Sequence, residues 1–475
     1  MSHAKETGRY GGVRLSITAY SLGATEEVTG SKHVLEINGN LYMIDCGAWQ
    51  GGPESGIKNR EFEFPADKLS AIFLTHAHFD HCGLIPKMIK QGYKGKIYST
   101  PATRDLSSIV MLDSAKIQKY EKGEPYYEEK DAIEAINHFR CHAYGKVKEV
   151  DENITYTAYD AGHILGSAML DIAVPKKKGF ISKLFGRNPK THILYTGDLG
   201  RDSNPITHPP ATDIPAPDYI FLESTYGDRT HETVEKSYDE LVDTINGTIQ
   251  RGGKVIIPSF AIERAQELIY HIKVLMADKR IPRVPVYIDS PMASNATGVF
   301  NIHPECFNDN LIDKFLSKGK NPFSVRSLEF VKDIQESIFI AESDKPCIVI
   351  AANGMCEAGR IINHLKFGID NPKNTILIVG YMGEGTLGRK IVDGEEKVMI
   401  DKVEYNVLAD VKRIHAFSAH ADYKEIGKWL KKIDTSKLKK IFLVHGDKEA
   451  QAFLKKYLKK YKVEIVKAGE SYILD

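Results

Sequence analysis

Residues 75–86, THAHFDHCGLIP, place three histidines and an aspartate within six positions, directly after the apolar stretch LSAIFL. A packed core would not retain this set, because a buried imidazole or carboxylate without a partner is costly. Side chains two residues apart in an extended backbone point the same way, so His76 and His78 can present two imidazoles to one ion. Asp80 and His81 follow where the chain turns towards a helix and point to a neighbouring position. Neutral imidazole and carboxylate suit Zn²⁺ and related first-row ions, so this spacing predicts a metal site at a strand end.

Four further polar residues close predicted strands elsewhere in the chain. Asp45 ends YMIDCG, His163 lies in DAGHILGSA, Asp198 closes ILYTGDLG and His445 closes IFLVHGD. Taken singly, each is more often a structural or solvent-facing residue. Taken together they predict the remaining ligands, because the first cluster by itself cannot complete two coordination shells.

The elements that must position these residues change in character along the chain. The first 110 residues are rich in strand-like segments such as NLYMIDCG and AIFLTHA, separated by turns. From about residue 228, the segments KVIIPS, VPVYIDS, PCIVIAA and NTILIVG are each followed by a small-residue turn, and most then run into a helical stretch. This alternation predicts βαβ units and a parallel sheet.

This order of motifs resembles the metallo-β-lactamase fold, an αββα sandwich with a binuclear metal site at one edge of its two sheets. The resemblance implies a ligand set of His76, His78 and His163 for the first metal, of Asp80, His81 and His445 for the second, and of Asp198 as a bridge between both. It also implies that Asp45 orients the site from behind the ligands. Asp45, Asp80 and Asp198 are therefore counted as catalytic residues too.

More specifically, the chain resembles the β-CASP nucleases, in which an α/β domain with a mostly parallel sheet is inserted into that fold. Glu223 in FLESTYGDR corresponds to their motif A, His420 in FSAHAD to motif B and His445 in LVHGD to motif C. The resemblance covers essentially the whole chain, and the chain resembles the endonuclease subunit of the pre-mRNA 3′-end processing complex and its bacterial and archaeal homologues. It implies a metallo-β-lactamase domain over 1–227, a β-CASP domain over 228–410 and a closing metallo-β-lactamase segment over 411–475.

The resemblance implies a metal-dependent ribonuclease, acting as an endonuclease, a 5′-exonuclease or both. Two divalent ions, Zn²⁺ or alternatively Mn²⁺, would hold a hydroxide that attacks phosphorus and would neutralise the charge that builds on the phosphate oxygens. His420 is the candidate general acid and Glu223 its partner, because imidazole titrates near neutral pH and a carboxylate favours its protonated form. The products would carry 5′-phosphate and 3′-hydroxyl groups. A purely structural, hydrogen-bonded His420 is the alternative.

The inserted domain would cover the metal site and form a cleft for single-stranded RNA. Its predicted strand ends offer backbone N–H groups and small side chains, as phosphate cradles require, and arginines follow these turns. The candidate RNA-binding residues are Ser259, Arg264, Asn353, Gly354, Arg360, Thr386 and Arg389. Structural alternatives stand beside them, since Ser259 is also a good helix N-cap and an arginine in an early helical turn is often only solvated. Asn353 stands where family members often have serine, which leaves its phosphate contact open.

The composition of the chain limits the classes of protein to which it can belong. Lys+Arg (64) and Asp+Glu (63) nearly cancel, so any RNA-binding surface must be a local patch. No apolar run approaches the ~18 residues of a membrane span, and the N-terminus lacks the apolar core of a signal peptide. Six cysteines without a CxxC pair predict reduced thiols in a cytoplasmic protein. We interpret the lysine pairs at 431–432, 439–440, 455–456 and 459–460 as a solvated helix face, with an RNA-binding tail as the alternative. We interpret the basic loop at 175–190 as a solvated turn, with a phosphate-backbone contact as the alternative.

Three other functions stay open on the same fold: a DNA nuclease, a small-molecule hydrolase and a catalytically silent RNA-binding scaffold. DNA-directed members typically have valine at motif C, so His445 favours RNA. Small-molecule hydrolases lack an insertion of this size, and silent subunits lose ligands that this chain keeps. Related proteins often dimerise, so the resemblance also implies a homodimer.

Overall fold

The computed structural model describes residues 16–51, 54–120, 124–176, 189–231, 234–380, 382–383, 385–414 and 418–475. Most of the basic loop predicted at 175–190 lies outside these described residues.

Two seven-stranded sheets hold the strands from the two ends of the chain. In spatial order the first consists of Ser471–Ile473, Ile17–Gly23, Lys32–Ile37, Asn40–Ile44, Leu69–Phe73, Lys96–Ser99 and Phe139–Cys141. The second consists of Val463–Ile465, Lys440–Leu443, Tyr219–Leu222, Lys190–Tyr195, Ala168–Pro175, Thr155–Asp160 and Lys148–Glu149. Strands Tyr219–Leu222 and Leu69–Phe73 read as nearly continuous apolar runs because both of their faces are covered.

The two sheets face each other across an apolar core. Aromatic side chains stack in it along the second sheet, where the ring of Phe221 lies 4.4 Å from Tyr195 and 4.8 Å from Phe442, centroid to centroid. Helices Pro101–Gln118 and Glu129–Asn137 pack on the outer side of the first sheet. Helices Tyr423–Lys432 and Lys448–Tyr457 cover the outer side of the second sheet. These four layers confirm the predicted αββα sandwich.

A six-stranded sheet lies between the two parts of the sandwich in sequence. Its order is Leu328–Phe330, Val286–Asp289, Ile348–Ala351, Val255–Pro258, Thr375–Ile378 and Asp410–Arg413, and all five pairings are parallel. The alternation of strands and helices therefore gave the correct sheet type. The domain limits stay a proposal, and we propose that the return to the sandwich follows residue 413 rather than 410, because Asp410–Arg413 still pairs within this sheet.

The other regular elements connect these layers. A hairpin is formed by Lys397–Ile400 and Val403–Asn406. The remaining helices are Ser55–Glu61, Phe79–Cys82, Ile85–Lys90, Val234–Gln250, Arg264–Ala277, Pro291–Ile302, Asp309–Lys314, Ile334–Glu342, Ile361–Gly368 and Leu387–Val392, with short 3₁₀ turns at Ala66–Lys68, Pro304–Cys306 and Leu316–Lys318. Within the described ranges, the helices are too short or too polar to cross a membrane.

Candidate metal centre

The carboxyl ends of neighbouring parallel strands bring the predicted ligands to one edge of the sandwich. In the first sheet, Asn40–Ile44 runs parallel to Leu69–Phe73 with Ile44 opposite Phe73, so Asp45 and the segment that begins at Thr75 emerge side by side. In the second sheet, Lys190–Tyr195, Tyr219–Leu222 and Lys440–Leu443 are three adjacent parallel strands. Asp198, Glu223 and His445 follow their ends. Parallel strands deliver their carboxyl ends to a common edge, which is where such sheets bind ligands.

One group of donor atoms collects around the Nε2 atom of His76. His78 Nδ1 lies 3.1 Å from it and Asp198 Oδ2 lies 3.4 Å from it. His163 Nε2 completes the group at 3.2 Å from His78 Nδ1 and 3.5 Å from Asp198 Oδ2. His76 and His163 have no exposed surface. These are the four residues predicted to bind the first metal or bridge the two.

A second group of donor atoms lies beside Oδ1, the other carboxylate oxygen of Asp198. His81 Nε2 is 3.4 Å from Asp198 Oδ1 and 3.1 Å from His445 Nε2. Asp80 Oδ2 lies 3.4 Å from the same nitrogen of His445. The structure therefore brings all seven predicted ligands together, three on each side of Asp198.

The electrostatics of the first group keep its imidazoles uncharged. Burial, together with the neighbouring imidazoles, lowers the pKa of His76 and His163 well below the ordinary value. Burial lowers the pKa of His78 to about 4. A neutral imidazole has a free lone pair, which is the form that binds a metal ion.

Residues behind the ligands fix their orientation. Asp45 Oδ2 lies 2.7 Å from His81 Nδ1, and Asp45 Oδ1 accepts a hydrogen bond from the Thr75 amide at 2.8 Å. Thr225 Oγ1 lies 3.0 Å from His445 Nδ1. Sequence reasoning found Asp45 but missed Thr75 and Thr225, whose only signal was their position beside His76 and Glu223. Asp45 and His445 both have positive φ, 59° and 51°, which costs energy in a non-glycine residue and is common at functional sites.

The residues present fit a pair of metal ions. Asp198 Oδ1 is buried and accepts no hydrogen bond, although an unpaired buried carboxylate oxygen is expensive. Nitrogen atoms of five histidines also face one another at 3.1–3.2 Å, with an oxygen of Asp198 within 3.5 Å of each group. The uncharged imidazoles of His76, His78 and His163 direct lone pairs towards one another, an arrangement that suits a cation between them. An imidazole and carboxylate donor set with one shared carboxylate is suited to two divalent first-row ions.

A buried acid and a histidine adjoin the first group. Glu223 has no exposed surface, and its Oε1 accepts from the Leu199 amide at 2.8 Å and lies 3.1 Å from His420 Nδ1. His420 Nδ1 is also 3.8 Å from Asp198 Oδ2, and the His420 side chain is 19% exposed. Burial opposes the charged form of His420, but the charges of Glu223 and Asp198 outweigh it and raise its pKa to about 9. The backbone oxygen of His420 accepts a hydrogen bond from His231 Nε2 at 2.9 Å, a contact that sequence reasoning missed.

The predicted RNA-binding residues lie on the loops that follow three adjacent strands of the inserted sheet, or in the first turn of the helix after such a loop. Most of their polar groups already have partners within the protein. Arg360 donates to Asp289 Oδ1 at 2.7 Å and to the carbonyl oxygens of Val331 and Lys332, which favours the structural alternative for it. The contacts of the others are Ser259 Oγ to the Phe260 oxygen, Arg264 to Glu267, the Met355 amide to Asn353 Oδ1, the Arg389 amide to Thr386 Oγ1, and Arg389 to Asp393. RNA contacts by these residues stay a prediction.

Two details of these loops differ from the expectation or were missed. Ser259 is not a helix N-cap, since the next helix begins at Arg264. Glu263 was not singled out, yet its Oε2 accepts from the buried Leu165 amide at 3.1 Å, two residues after His163. The segment that follows a strand of the inserted sheet therefore contacts the loop that carries a predicted metal ligand.

Comparison with domain families assigns three parts of the chain. Residues 34–185 match the metallo-beta-lactamase superfamily domain, residues 265–391 match the Beta-Casp domain, and residues 404–468 match the Zn-dependent metallo-hydrolase RNA specificity domain. A solved structure of a protein of unknown function from Enterococcus faecalis V583 covers 97% of this chain with a TM-score of 0.56 at 15% identity, which supports the fold alone.

Similar proteins with names come from bacteria and archaea. The chain is 34% identical to ribonuclease TTHA0252 of Thermus thermophilus over 94% of its own length and 98% of that protein. It is 33% identical to an RNase J-like protein of Methanocaldococcus jannaschii, over 90% of this chain and 91% of that one. It is also 33% identical to the transcription termination factor FttA of Methanothermobacter thermautotrophicus, but spans only 66% of that protein.

Proposed function

Because the chain belongs to the β-CASP ribonucleases of the metallo-β-lactamase superfamily, we propose that it hydrolyses RNA phosphodiester bonds at a two-metal centre with His420 as the general acid. The family identifies it as a hydrolase of the nuclease class that uses a metal-binding His/Asp cluster and binds RNA. One observation carries the finer proposal. The two oxygens of Asp198 lie 3.4 Å from His76 in one group of donors and 3.4 Å from His81 in the other, and the same carboxylate lies 3.8 Å from a histidine that is paired with a buried glutamate.

The residues of the site would have the following roles. His76, His78 and His163 would hold one ion, Asp80, His81 and His445 the other, and Asp198 both. When bound, two divalent ions supply a water of lowered pKa and neutralise charge on the phosphate oxygens. Asp45 keeps His81 in one orientation through the 2.7 Å contact with its Nδ1.

His420 would protonate the leaving oxygen. Its Nδ1 faces Glu223, and among the described residues no hydrogen bond to its Nε2 is present, so an Nε2 proton can be passed to substrate. A pKa of about 9 keeps the imidazole protonated at neutral pH. Water attack with departure of the 3′ oxygen leaves a 5′-phosphate and a 3′-hydroxyl group.

We further propose Zn²⁺ as the native metal, with Mn²⁺ as the alternative, and a homodimer as the assembly. Elemental analysis of purified protein should find about two transition-metal ions per chain. The Asp198→Asn variant should retain fewer than two, because the shared ligand is lost. Sedimentation over a range of protein concentrations tests the dimer.

Matched substrates test the activity. Wild-type protein and the Asp80→Asn variant are incubated with single-stranded RNA, DNA of the same sequence and an ester substrate, each with Zn²⁺ or Mn²⁺. We expect RNA cleavage by wild type alone. Preferential DNA cleavage would move the assignment to a DNA nuclease, ester hydrolysis alone to a small-molecule hydrolase, and RNA binding without cleavage to a silent scaffold. A 5′-hydroxyl RNA compared with a 5′-monophosphate RNA then separates internal cleavage from digestion that begins at the 5′ end.

A second substrate tests the general acid separately. When sulfur replaces the 3′-bridging oxygen at one linkage, the leaving thiolate departs without protonation. We expect the His420→Ala variant to cleave ordinary RNA about 10²- to 10⁴-fold more slowly than wild type and to lose far less on the sulfur-containing linkage. An equal loss on both linkages would exclude His420 as the proton donor.

A further inference from the structure

Two helices of the second sheet's outer layer begin directly beside the proposed reaction centre. Helix Tyr423–Lys432 starts three residues after His420, and helix Lys448–Tyr457 starts three residues after His445. The two helices pack side by side. Their outward faces therefore lead away from the centre across the protein surface.

Aromatic side chains fill the groove between these helices. The ring of Tyr423 contacts Phe453 and Tyr457 edge-on, at centroid distances of 5.1 and 4.9 Å. Phe453 and Tyr457 are each 42% exposed, although apolar rings of this size are usually covered. Gly427 makes room for the cluster, because a Cβ atom there would lie 2.8 Å from the Tyr457 ring.

Tyr226 joins this cluster to the catalytic histidine. Its ring centroid lies 6.1 Å from that of His420, and its backbone oxygen accepts a hydrogen bond from the Tyr423 amide at 3.1 Å. We call Tyr226, Tyr423, Phe453 and Tyr457 the aromatic track.

Cationic side chains flank the aromatic track. Lys424 Nζ lies 5.8 Å from the centre of the Tyr423 ring, and Lys456 directly precedes Tyr457. Lys424, Lys431 and Lys456 are exposed and form no ion pair with the part of the chain that the structure describes. Each of the two helices holds one acidic residue, Glu425 or Glu449, against four lysines in the first and three in the second. The local charge is therefore positive, although the whole chain is nearly neutral.

We propose that the aromatic track binds the single-stranded RNA segment that flanks the cleaved bond next to His420. The inference rests on the proposed ribonuclease function and adds a substrate-binding surface to it. Exposed rings that alternate with cations suit single strands, because every base can stack on a ring whatever the sequence, while lysines attract the phosphates. The occupant could also be a second copy of this chain, but burying several lysines against the same lysines would be unfavourable.

Two alanine variants, Phe453→Ala and Tyr457→Ala, test the track on cleavage kinetics. For single-stranded RNA of about 20 nucleotides, we expect each to raise KM roughly 5- to 150-fold, the range that loss of one stacked base implies, with kcat unchanged. Hydrolysis of bis(p-nitrophenyl) phosphate, which is too small to reach the track, should not change. Tyr457→Phe keeps the ring and should behave as wild type. Phe339→Ala removes a ring that is 73% exposed on the inserted domain and serves as the matched control.

The lysines are tested by salt dependence. Lys424→Gln and Lys456→Gln should each reduce the slope of log KM against log salt concentration by about 0.7, since each phosphate contact to a single strand contributes that amount. Thermal unfolding of every variant shows whether the fold is kept.

The possible outcomes distinguish failure of the proposed aromatic track from failure of the proposed ribonuclease function. An unchanged KM in both alanine variants overturns the track even when wild type cleaves RNA. If wild type does not cleave RNA, fluorescence anisotropy of labelled RNA with the same variants still measures the binding surface. If Phe453→Ala instead converts a dimer into a monomer and leaves RNA affinity unchanged, the surface is an interface between two copies and the proposal is wrong.

Discussion

Substitution of Glu223 by glutamine is the sharpest perturbation of the proposed acid. Glu223 Oε1 faces His420 Nδ1 at 3.1 Å, and Oε2 accepts from the Thr225 amide at 3.1 Å. Glutamine keeps the shape of the side chain and one acceptor oxygen but removes the negative charge. Its amide group must then face either His420 or the Thr225 amide, which leaves two donors opposed and costs about 1–3 kcal/mol of stability.

The expected size of the effect comes from the pKa of His420. Its value of about 9, against an ordinary 6.5, corresponds to about 3 kcal/mol in favour of the imidazolium. Glu223 contributes both through its charge and through its hydrogen bond, whereas Asp198 and Asp80 contribute through charge alone. We therefore expect glutamine to lower the pKa of His420 by at least about one pH unit.

The pH dependence of kcat shows in which direction the pKa of His420 has moved. A general acid works only while protonated, so the rate falls as pH rises through its pKa. In wild type kcat should fall at alkaline pH as His420 loses its proton, and in Glu223→Gln the fall should begin about one pH unit lower or more, because the neighbouring negative charge is lost. Single-turnover cleavage of labelled RNA from pH 6 to 10 measures both curves. Elemental analysis of both proteins checks that they hold the same ions, so that the difference between the two curves reports the carboxylate.

Two control variants are measured in the same way. Glu449→Gln removes an exposed carboxylate that does not contact His420 and should leave the profile unchanged. His420→Ala should abolish the fall of kcat at alkaline pH, because the group that loses its proton there is absent. If the profile of Glu223→Gln coincides with that of wild type, Glu223 does not set the protonation of His420, and the proposed acid pair is refuted.

Three further predictions concern stability and metal affinity. Arg360→Met should lower the free energy of unfolding by about 3 kcal/mol, because Asp289 is fully buried and loses a charged partner. Burial raises the pKa of Asp289, but its interactions with His364, Ser337 and Arg360 outweigh burial and hold the pKa below the ordinary value. In urea titrations the loss of stability should therefore be present at neutral pH and shrink below about pH 4. Gly47→Ala should weaken binding of one ion about tenfold or more by calorimetry, since a Cβ atom would lie 1.5 Å from the backbone oxygen of Asp80. Gly298→Ala, in an exposed helical position with no neighbour within 4 Å, should instead stabilise the fold by about 0.5–1 kcal/mol in the same titrations.

Parts of the molecule that depend on local chain geometry were predictable from the sequence. The HxHxDH motif follows a short apolar strand, and the structure places that strand at Leu69–Phe73 with a helix starting at Phe79. The strand and helix alternation after residue 228 likewise predicted a parallel sheet, and all its pairings are parallel. These features follow from the side-chain periodicity and the turn residues of a few neighbouring positions.

Contacts between distant segments were decided by the tertiary structure. The resemblance implied that His81 and His445 share a metal, but only the packing of the two sheets against each other brings their nitrogens to 3.1 Å over 364 positions of sequence. The same holds for Arg360, which looks like a phosphate ligand in sequence and meets the buried Asp289 in the fold. It holds for the aromatic track as well, since Phe453 and Tyr457 in sequence resemble scattered residues of a lysine-rich helix. Periodicity determines which face of an element is apolar, whereas the packing of layers determines which faces meet.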